Sequence, residues 1–207
     1  MRVLLIGFGP FPGAPFNPSA ALVKALARRR RPALAEIWRA THVFKTTYAA
    51  VDRGLPKLFG VKPDIILMFG LAGRRRELCI ETRARNAVSL LFPDANGHRP
   101  QCGAIRPGEQ AGLRGSAPFN ALLDAVRARR FPARLSRDAG RYLCNYAYWR
   151  ALESARAGHP LIQFVHIPPI RLGPRPQQRR GRRSPSFRSL VAAAEALLVA
   201  LIAASRR

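Results

Sequence analysis

The strongest constraint on the fold is the way short, mainly apolar runs alternate with stretches of helical periodicity. Residues 2–6, 64–69 and 161–167 read as strands buried on both faces, since a strand covered on both sides has no polar alternation to display. Residues 35–43 alternate through Ile37, Arg39, Thr41 and Val43, and residues 77–85 carry Leu78, Ile80, Thr82 and Ala84 on one side and Glu81 on the other. A further strand is expected near 131–136. Helices are predicted from Pro18, where Ala21, Leu22, Ala25 and Leu26 share a face, and over 47–59, 118–130 and 143–157. A last helix is predicted to start at Ser184 and Pro185, with proline at the first helical position, and to end near Ser205. Strands interleaved with helices in this way imply an α/β chain, a three-layer α/β/α sandwich around a mostly parallel or mixed twisted sheet. No repeat or linker divides residues 1–207, so a single domain is expected, with 171–183 as an arginine-rich flexible loop. Between 93 and 115 glycine and proline recur, which predicts a long surface excursion of the kind that often covers a site.

One cysteine carries the chemistry. Cys144 sits in the segment from Ser136 to Asn145, just ahead of a helical pattern, and His166 lies downstream at the end of a buried strand. Only a thiolate is a good nucleophile, so a reactive cysteine needs a device that favours it. Unpaired N–H groups at a helix start near Tyr142 and an imidazole that takes the proton would both serve. Glu81, projecting from its own strand, could orient the ring and stabilise its charged form. The competing view is that cysteine is commonly a small buried hydrophobe. Cys79 is read in that way, as packing two residues before Glu81. His42, His98 and His159 lack a second ligand at metal spacing, and Pro12 stands where the third glycine of a dinucleotide fingerprint would be needed after Gly7 and Gly9. Neither a metal site nor a phosphate cradle is expected.

Composition bounds the alternatives. Three cysteines, Cys79, Cys102 and Cys144, form no C-x-x-C and are odd in number, which argues against a disulfide framework and for a reducing, cytoplasmic setting. The apolar start ends at Ile6, too short for a signal peptide, and the run from Leu190 to Ala204 is 15 residues interrupted by Glu195, so no membrane association is expected. The net charge of +25 is the main competing signal, because such a field attracts polyanions without specific contacts. The basic residues are nearly all arginine, alongside abundant alanine and proline, and none of the clusters interleaves aromatics as a stacking platform would. They lie at Arg28 to Arg31, Arg74 to Arg76 and Arg171 to Arg183, and are read as solvated surface with weak nonspecific polyanion binding.

The flanks of these residues resemble the pyroglutamyl peptidase I, or pyrrolidone-carboxylate peptidase, family. The matching segments run in collinear order from Gly7–Gly13 with Asn17–Ser19, through Pro63–Ile66, Gly70–Gly73, Glu81 with Asn86 and Pro93–Gly97, to Asp138–Asn145 and Phe164–Pro168. The resemblance implies a cysteine exopeptidase acting on peptides with an N-terminal pyroglutamate, with Cys144 as nucleophile, His166 as proton shuttle and Glu81 holding the imidazole. It further implies that Phe8 and Phe11 from the first loop, with Tyr142 and Asn17, hold the lactam, that no cofactor is used, and that the protein is a homo-oligomer, a dimer or a tetramer. Three positions depart from the family pattern. Leu71 stands where a lactam-binding glutamine is usual, Gly9 replaces an aspartate and Leu91 replaces an arginine, the last two removing charge near the expected site. Two other readings therefore stay open: a hydrolase or non-catalytic homologue of the same fold with altered acyl specificity, and a basic nucleic-acid-associated protein.

Overall fold

A computed structural model describes residues 1–11, 13–155, 159–170 and 185–206. Its centre is a six-stranded sheet of β1 (Arg2–Phe8), β2 (Trp38–Phe44), β3 (Ile65–Leu71), β4 (Leu78–Glu81), β7 (Ala133–Ser136) and β8 (Leu161–Ile167), in the order β2-β1-β3-β8-β4-β7. Strands β1, β2, β3 and β8 are mutually parallel. β4 runs antiparallel to β8 and parallel to β7, so the sheet is mixed. A separate two-stranded ribbon joins β5 (Arg83–Arg85) to β6 (Gly112–Arg114).

Alternate residues of the central strands feed two cores, as strand periodicity requires. Val3, Leu5, Ile65, Leu67, Val165 and Ile167 face the layer of α1 (Pro18–Ala27), α3 (Phe119–Arg127) and α5 (Phe187–Ser205). Leu4, Ile6, Ile66, Met68, Ile162 and Phe164 face α2 (Tyr48–Gly60) and α4 (Leu143–Ser154). The three-layer α/β/α sandwich is thus the observed fold. Each fully buried Leu or Ile in these layers contributes about 2 kcal/mol of transfer free energy.

Helix starts follow local chemistry. The Asn17 side chain accepts from the Ser19 N–H with Pro18 at the first helical position, and the Thr47 hydroxyl accepts from the Ala50 N–H ahead of α2. For α5 the cap is Ser186, whose oxygen accepts from the Ser189 N–H, and Pro185 precedes it rather than opening the helix. The expected start at Ser184 and Pro185 is corrected by that bond; Ser184 itself lies outside the described residues.

Several other boundaries move. β2 begins at Trp38 rather than at 35, because Pro32–Leu34 forms a 3-10 turn that buries Leu34. The continuous strand expected over 77–85 breaks at Thr82, whose N–H and hydroxyl both bond Ser136 O, at 2.7 and 3.0 Å. α5 is 19 residues long, more than the 15 read from its apolar run, and is long and apolar enough to cross a membrane by length and composition. It instead lays Leu190, Ala194, Leu197, Leu198 and Leu201 into the core; Glu195 on this helix is held by Arg29 at 2.8 Å and Arg31 at 2.9 Å. The helix predicted over 143–157 ends earlier, at Ser154, because Ala155 turns to extended backbone at φ −77 and ψ 134. The segment 171–183 lies outside the described residues.

Candidate active site

The site forms at the C-terminal ends of the parallel strands, where helix-bearing connections leave room for a cavity. Phe8 ends β1, Leu71 ends β3 and His166 is the penultimate residue of β8. Facing them, Tyr142 is the N-cap of α4, which sets Cys144 in the first helical turn. No side chain caps that turn, so its leading N–H groups are not claimed by a capping oxygen among the described residues.

A cavity of about 420 Å³ opens here, walled on its apolar side by Phe8, Phe11, Leu71 and Tyr142, and reaching Cys144 and His166. The structure therefore brings together every residue proposed from the sequence as catalytic or lactam-holding except Glu81, which lies beneath the floor. Glu81 has no exposed side-chain surface, and its Oε1 stands 2.8 Å from His166 Nδ1. That contact fixes the ring orientation and leaves Nε2 for the cavity side.

The electrostatics of this group are those of a buried ion network. Burial alone would lower the pKa of His166, but its interactions with Cys144 and Glu81 outweigh it and push the imidazole up to about 9. Burial would raise that of Glu81, yet His166, Ser136 and Arg75 hold it below the ordinary carboxylate range. For Cys79, burial dominates and pushes the thiol up, and the residue sits directly opposite His166 in the β4–β8 register with no exposed surface. All three cysteines are free.

Arg75 is the functional neighbour that sequence reasoning misses, since the sequence alone places it in a solvated loop cluster. Its Nη1 donates to the same Glu81 Oε1 at 2.7 Å, and its Nη2 donates to Asp138 O at 2.6 Å. Its one sequence signal is its place in the short return between Leu71 and Glu81, and Arg74 and Arg76 share it. Thr46 carries no sequence signal at all; it lines the cavity and donates to Gly9 O at 3.0 Å. Asn145 figures in the sequence only as a flank of Cys144. It is fully buried, accepting from Arg85 N and donating to Arg85 O and Ala87 O, each at 2.8 Å, and so ties β5 to the start of α4.

Other expected residues are qualified by their contacts. Phe8 belongs to β1 rather than to the first loop, and packs against Phe44 and Phe164. Phe11 pairs with Tyr142 at 6.1 Å between centroids, and the Tyr142 hydroxyl donates to Pro93 O at 2.8 Å. Asn17 lines the cavity, but its amide is engaged by Gly9 O and Ser19 N, both at 3.1 Å. Leu91 is 75% exposed and does not line the cavity among the described residues, so the charge missing there is not missing from this wall. Gly9 keeps a backbone role, its N–H donating to Phe44 O at 2.8 Å. Among the described residues no three His, Cys, Asp or Glu side chains gather as a metal site would need.

Close approach around the thiol is made possible by Gly70, which pairs with His166 across β3 and β8. A Cβ on Gly70 would lie 2.7 Å from Cys144 Sγ and 2.8 Å from Phe164 Cζ.

A thiol beside an imidazole, with a buried carboxylate behind the ring, on an α/β/α sandwich, is the arrangement of a cysteine hydrolase. A family model described as pyroglutamyl peptidase matches residues 1–207, and the chain belongs to that family of cysteine peptidases. The pyrrolidone-carboxylate peptidase of Thermococcus kodakarensis is 32% identical over 174 residues, covering 81% of each chain. That of Bacillus velezensis is 31% identical over 207 residues, 99% of this chain and 92% of the relative. Among solved structures, a variant of pyrrolidone carboxyl peptidase from Pyrococcus furiosus aligns with a TM-score of 0.85 at 26% identity, over 99% of this chain and 100% of that one. Pyroglutamyl peptidase I from Bacillus amyloliquefaciens aligns at 0.81 and 28% identity, over 98% of this chain and 97% of that one.

Proposed function

We propose that the protein removes N-terminal pyroglutamyl residues from peptides, with Cys144 as nucleophile, His166 as general base and acid, and Glu81 as the group that orients and charges the imidazole. The observation that carries this reading is the chemistry of the cavity wall. An ordinary aminopeptidase substrate brings an ammonium that needs a carboxylate, and no Asp or Glu among the described residues lines this cavity. Its charged side chains are Arg74, Arg75 and His166, which repel a free amino terminus and accept a blocked, neutral one. Phe8, Phe11, Leu71 and Tyr142 offer an apolar box for a small uncharged ring.

In this reading the Cys144 thiolate attacks the carbonyl of the pyroglutamyl residue. The developing oxyanion meets the uncapped N–H groups at the start of α4, where the helix dipole also favours negative charge. The imidazolium of His166 then protonates the leaving amine, and the thioester is cleaved by water that the now neutral ring activates. Glu81, held between Arg75 and His166, keeps Nδ1–H fixed through both half-reactions.

A second reading keeps the mechanism and changes the acyl group. Leu71 lines the cavity where the family resemblance calls for a glutamine, and an apolar side chain there cannot hydrogen-bond the lactam. Hydrolysis of a pyroglutamyl chromogenic amide by wild type, lost in Cys144→Ala at unchanged circular dichroism, is the expected result. Equal or better hydrolysis of prolyl or acetyl amides would favour the second reading, and activity surviving in Cys144→Ala would overturn both.

A further inference from the structure

Beside the catalytic cavity lies a second, wider cleft, and the two share the wall formed by Gly73, Arg74 and Arg75. Its other sides are made by Arg76 and Glu77, by Arg127 at the end of α3 and Arg130 in the turn after it, and by Pro168 and Pro169 shortly after His166. The cleft thus adjoins the catalytic cavity on the side of His166. In the reaction proposed above that side has a definite meaning, because the group that protonates the leaving amine must face the leaving peptide.

The cleft is strongly basic. Arg74, Arg76, Arg127 and Arg130 are exposed, and none has a carboxylate within salt-bridge distance among the described residues. Glu77, the one acid on this wall, is committed to Arg134 at 2.7 Å. The remainder of the chain offers nothing further, since residues 12, 156–158, 171–184 and 207 include no Asp or Glu. Cationic side chains held together without counter-ions favour an anionic ligand and focus its approach.

We infer that this cleft is a leaving-group subsite that selects peptides carrying acidic side chains downstream of the scissile bond. The inference rests on the proposed function. An extended chain advances about 3.3 Å per residue, so the second and third residues after the bond would leave the catalytic cavity past the shared arginine wall. A neutral first residue would sit at that wall, and acidic residues beyond it would meet Arg76 and Arg130.

The test compares three peptides, pGlu-Ala-Glu-Glu, pGlu-Ala-Ala-Ala and pGlu-Ala-Lys-Lys, with wild type, with Arg76→Glu/Arg130→Glu and with Arg28→Glu/Arg30→Glu. The last pair removes the same charge from exposed positions just past the end of α1, which do not line either cleft. Wild type should cleave the acidic peptide with a kcat/KM roughly tenfold above the neutral one and further above the basic one at about 10 mM ionic strength, the gap closing near 1 M salt. The cleft variant should lose that preference while retaining wild-type activity on the neutral peptide, and the remote variant should keep most of it. Equal rates on all three peptides in wild type, or equal loss in both variants, overturns the subsite and leaves the pyroglutamyl reading intact. No cleavage of any of the three refutes the pyroglutamyl reading and takes the subsite with it. Loss of heparin binding by the cleft variant with no change in peptide preference would assign the cleft to polyanions and overturn the inference.

Discussion

Gly70→Ala is the substitution that most directly tests whether the thiol sits where the chemistry needs it. The added methyl would stand 2.7 Å from Cys144 Sγ and 2.8 Å from Phe164 Cζ, whereas unstrained contacts of this kind fall at about 3.5–4.0 Å. About 1 Å of movement is therefore required. Phe164 is the less able to give, being wedged among the rings of Phe8, Tyr148 and His166 at 6.0, 5.7 and 5.0 Å. Cys144 borders open cavity and can move. A nucleophile displaced by about 1 Å costs on the order of 100-fold in rate, and overpacking costs about 1–3 kcal/mol of stability. The expected result is a fall of about two orders of magnitude in kcat/KM on a pyroglutamyl amide, slower alkylation by iodoacetamide and a Tm lower by roughly 2–10 °C. Gly103→Ala, where an added Cβ meets nothing within 4 Å, is the control. A Gly70→Ala enzyme within threefold of wild type at unchanged Tm would refute the placement of the thiol against β3.

Arg75→Gln should lower kcat by roughly 10–100-fold and shift the basic limb of the pH profile upward, because removing a cation beside Glu81 strengthens the carboxylate's hold on the imidazolium; an unshifted limb would mean Arg75 only packs. His166, pushed up to about 9, contributes stability that is fully present below its unfolded pKa of about 6.5 and lost as pH rises through about 9, so Tm and activity should both decline over that window; an activity maximum well above pH 9 would contradict this sign. Glu81→Asp should reduce kcat on the order of 100-fold, since a side chain one methylene shorter gives up the 2.8 Å contact to Nδ1, and wild-type turnover would remove Glu81 from the mechanism. Iodoacetamide should inactivate by labelling Cys144, while the exposed Cys102 is labelled without loss and the buried Cys79 stays unlabelled; mass mapping that ties lost activity to Cys79 or Cys102 would sink the nucleophile assignment.

Much of this architecture is legible in the sequence because burial leaves a plain mark on composition. β1, β3 and β8 are covered on both faces, and their apolar runs, broken in β8 only by Gln163 and His166, show it. The misses have physical causes. The alternation through Thr82 continues across the break between β4 and β5, because that break is made by hydrogen bonds to Ser136, distant in sequence. β6 is three residues in a glycine-rich excursion and has too little length to show a period. At the site, Cys144, His166 and Glu81 can be found because cysteine, histidine and acidic residues are few in this chain. Arg75 cannot, because arginine is its commonest charged residue and nothing in a run of three says which one turns inward.

The direction of β4 explains why an arginine has to be there. His166 lies near the mouth, at the C-terminal end of β8, and β4 runs the opposite way beside it, with Cys79 opposite His166 and Glu81 opposite Phe164. Each step along β4 therefore leads deeper into the sheet, and Glu81 reaches the ring from below, along the diagonal of the antiparallel pair. A carboxylate in that position cannot be reached by water, and ionising it without compensation would cost several kcal/mol. His166 alone cannot supply the compensation, since the proposed cycle leaves its ring neutral for part of each turnover. A permanent cation is needed, and guanidinium is the one side chain that stays charged under burial. The return from β3 into β4 spans only residues 72–77, so it passes directly over the start of β4 and can drop Arg75 onto Glu81 Oε1, with two further donations to Ser136 Oγ at 3.3 Å and to Asp138 O. The antiparallel strand, the buried acid and the inward arginine are thus one structural solution: each is tolerable only because the other two are present.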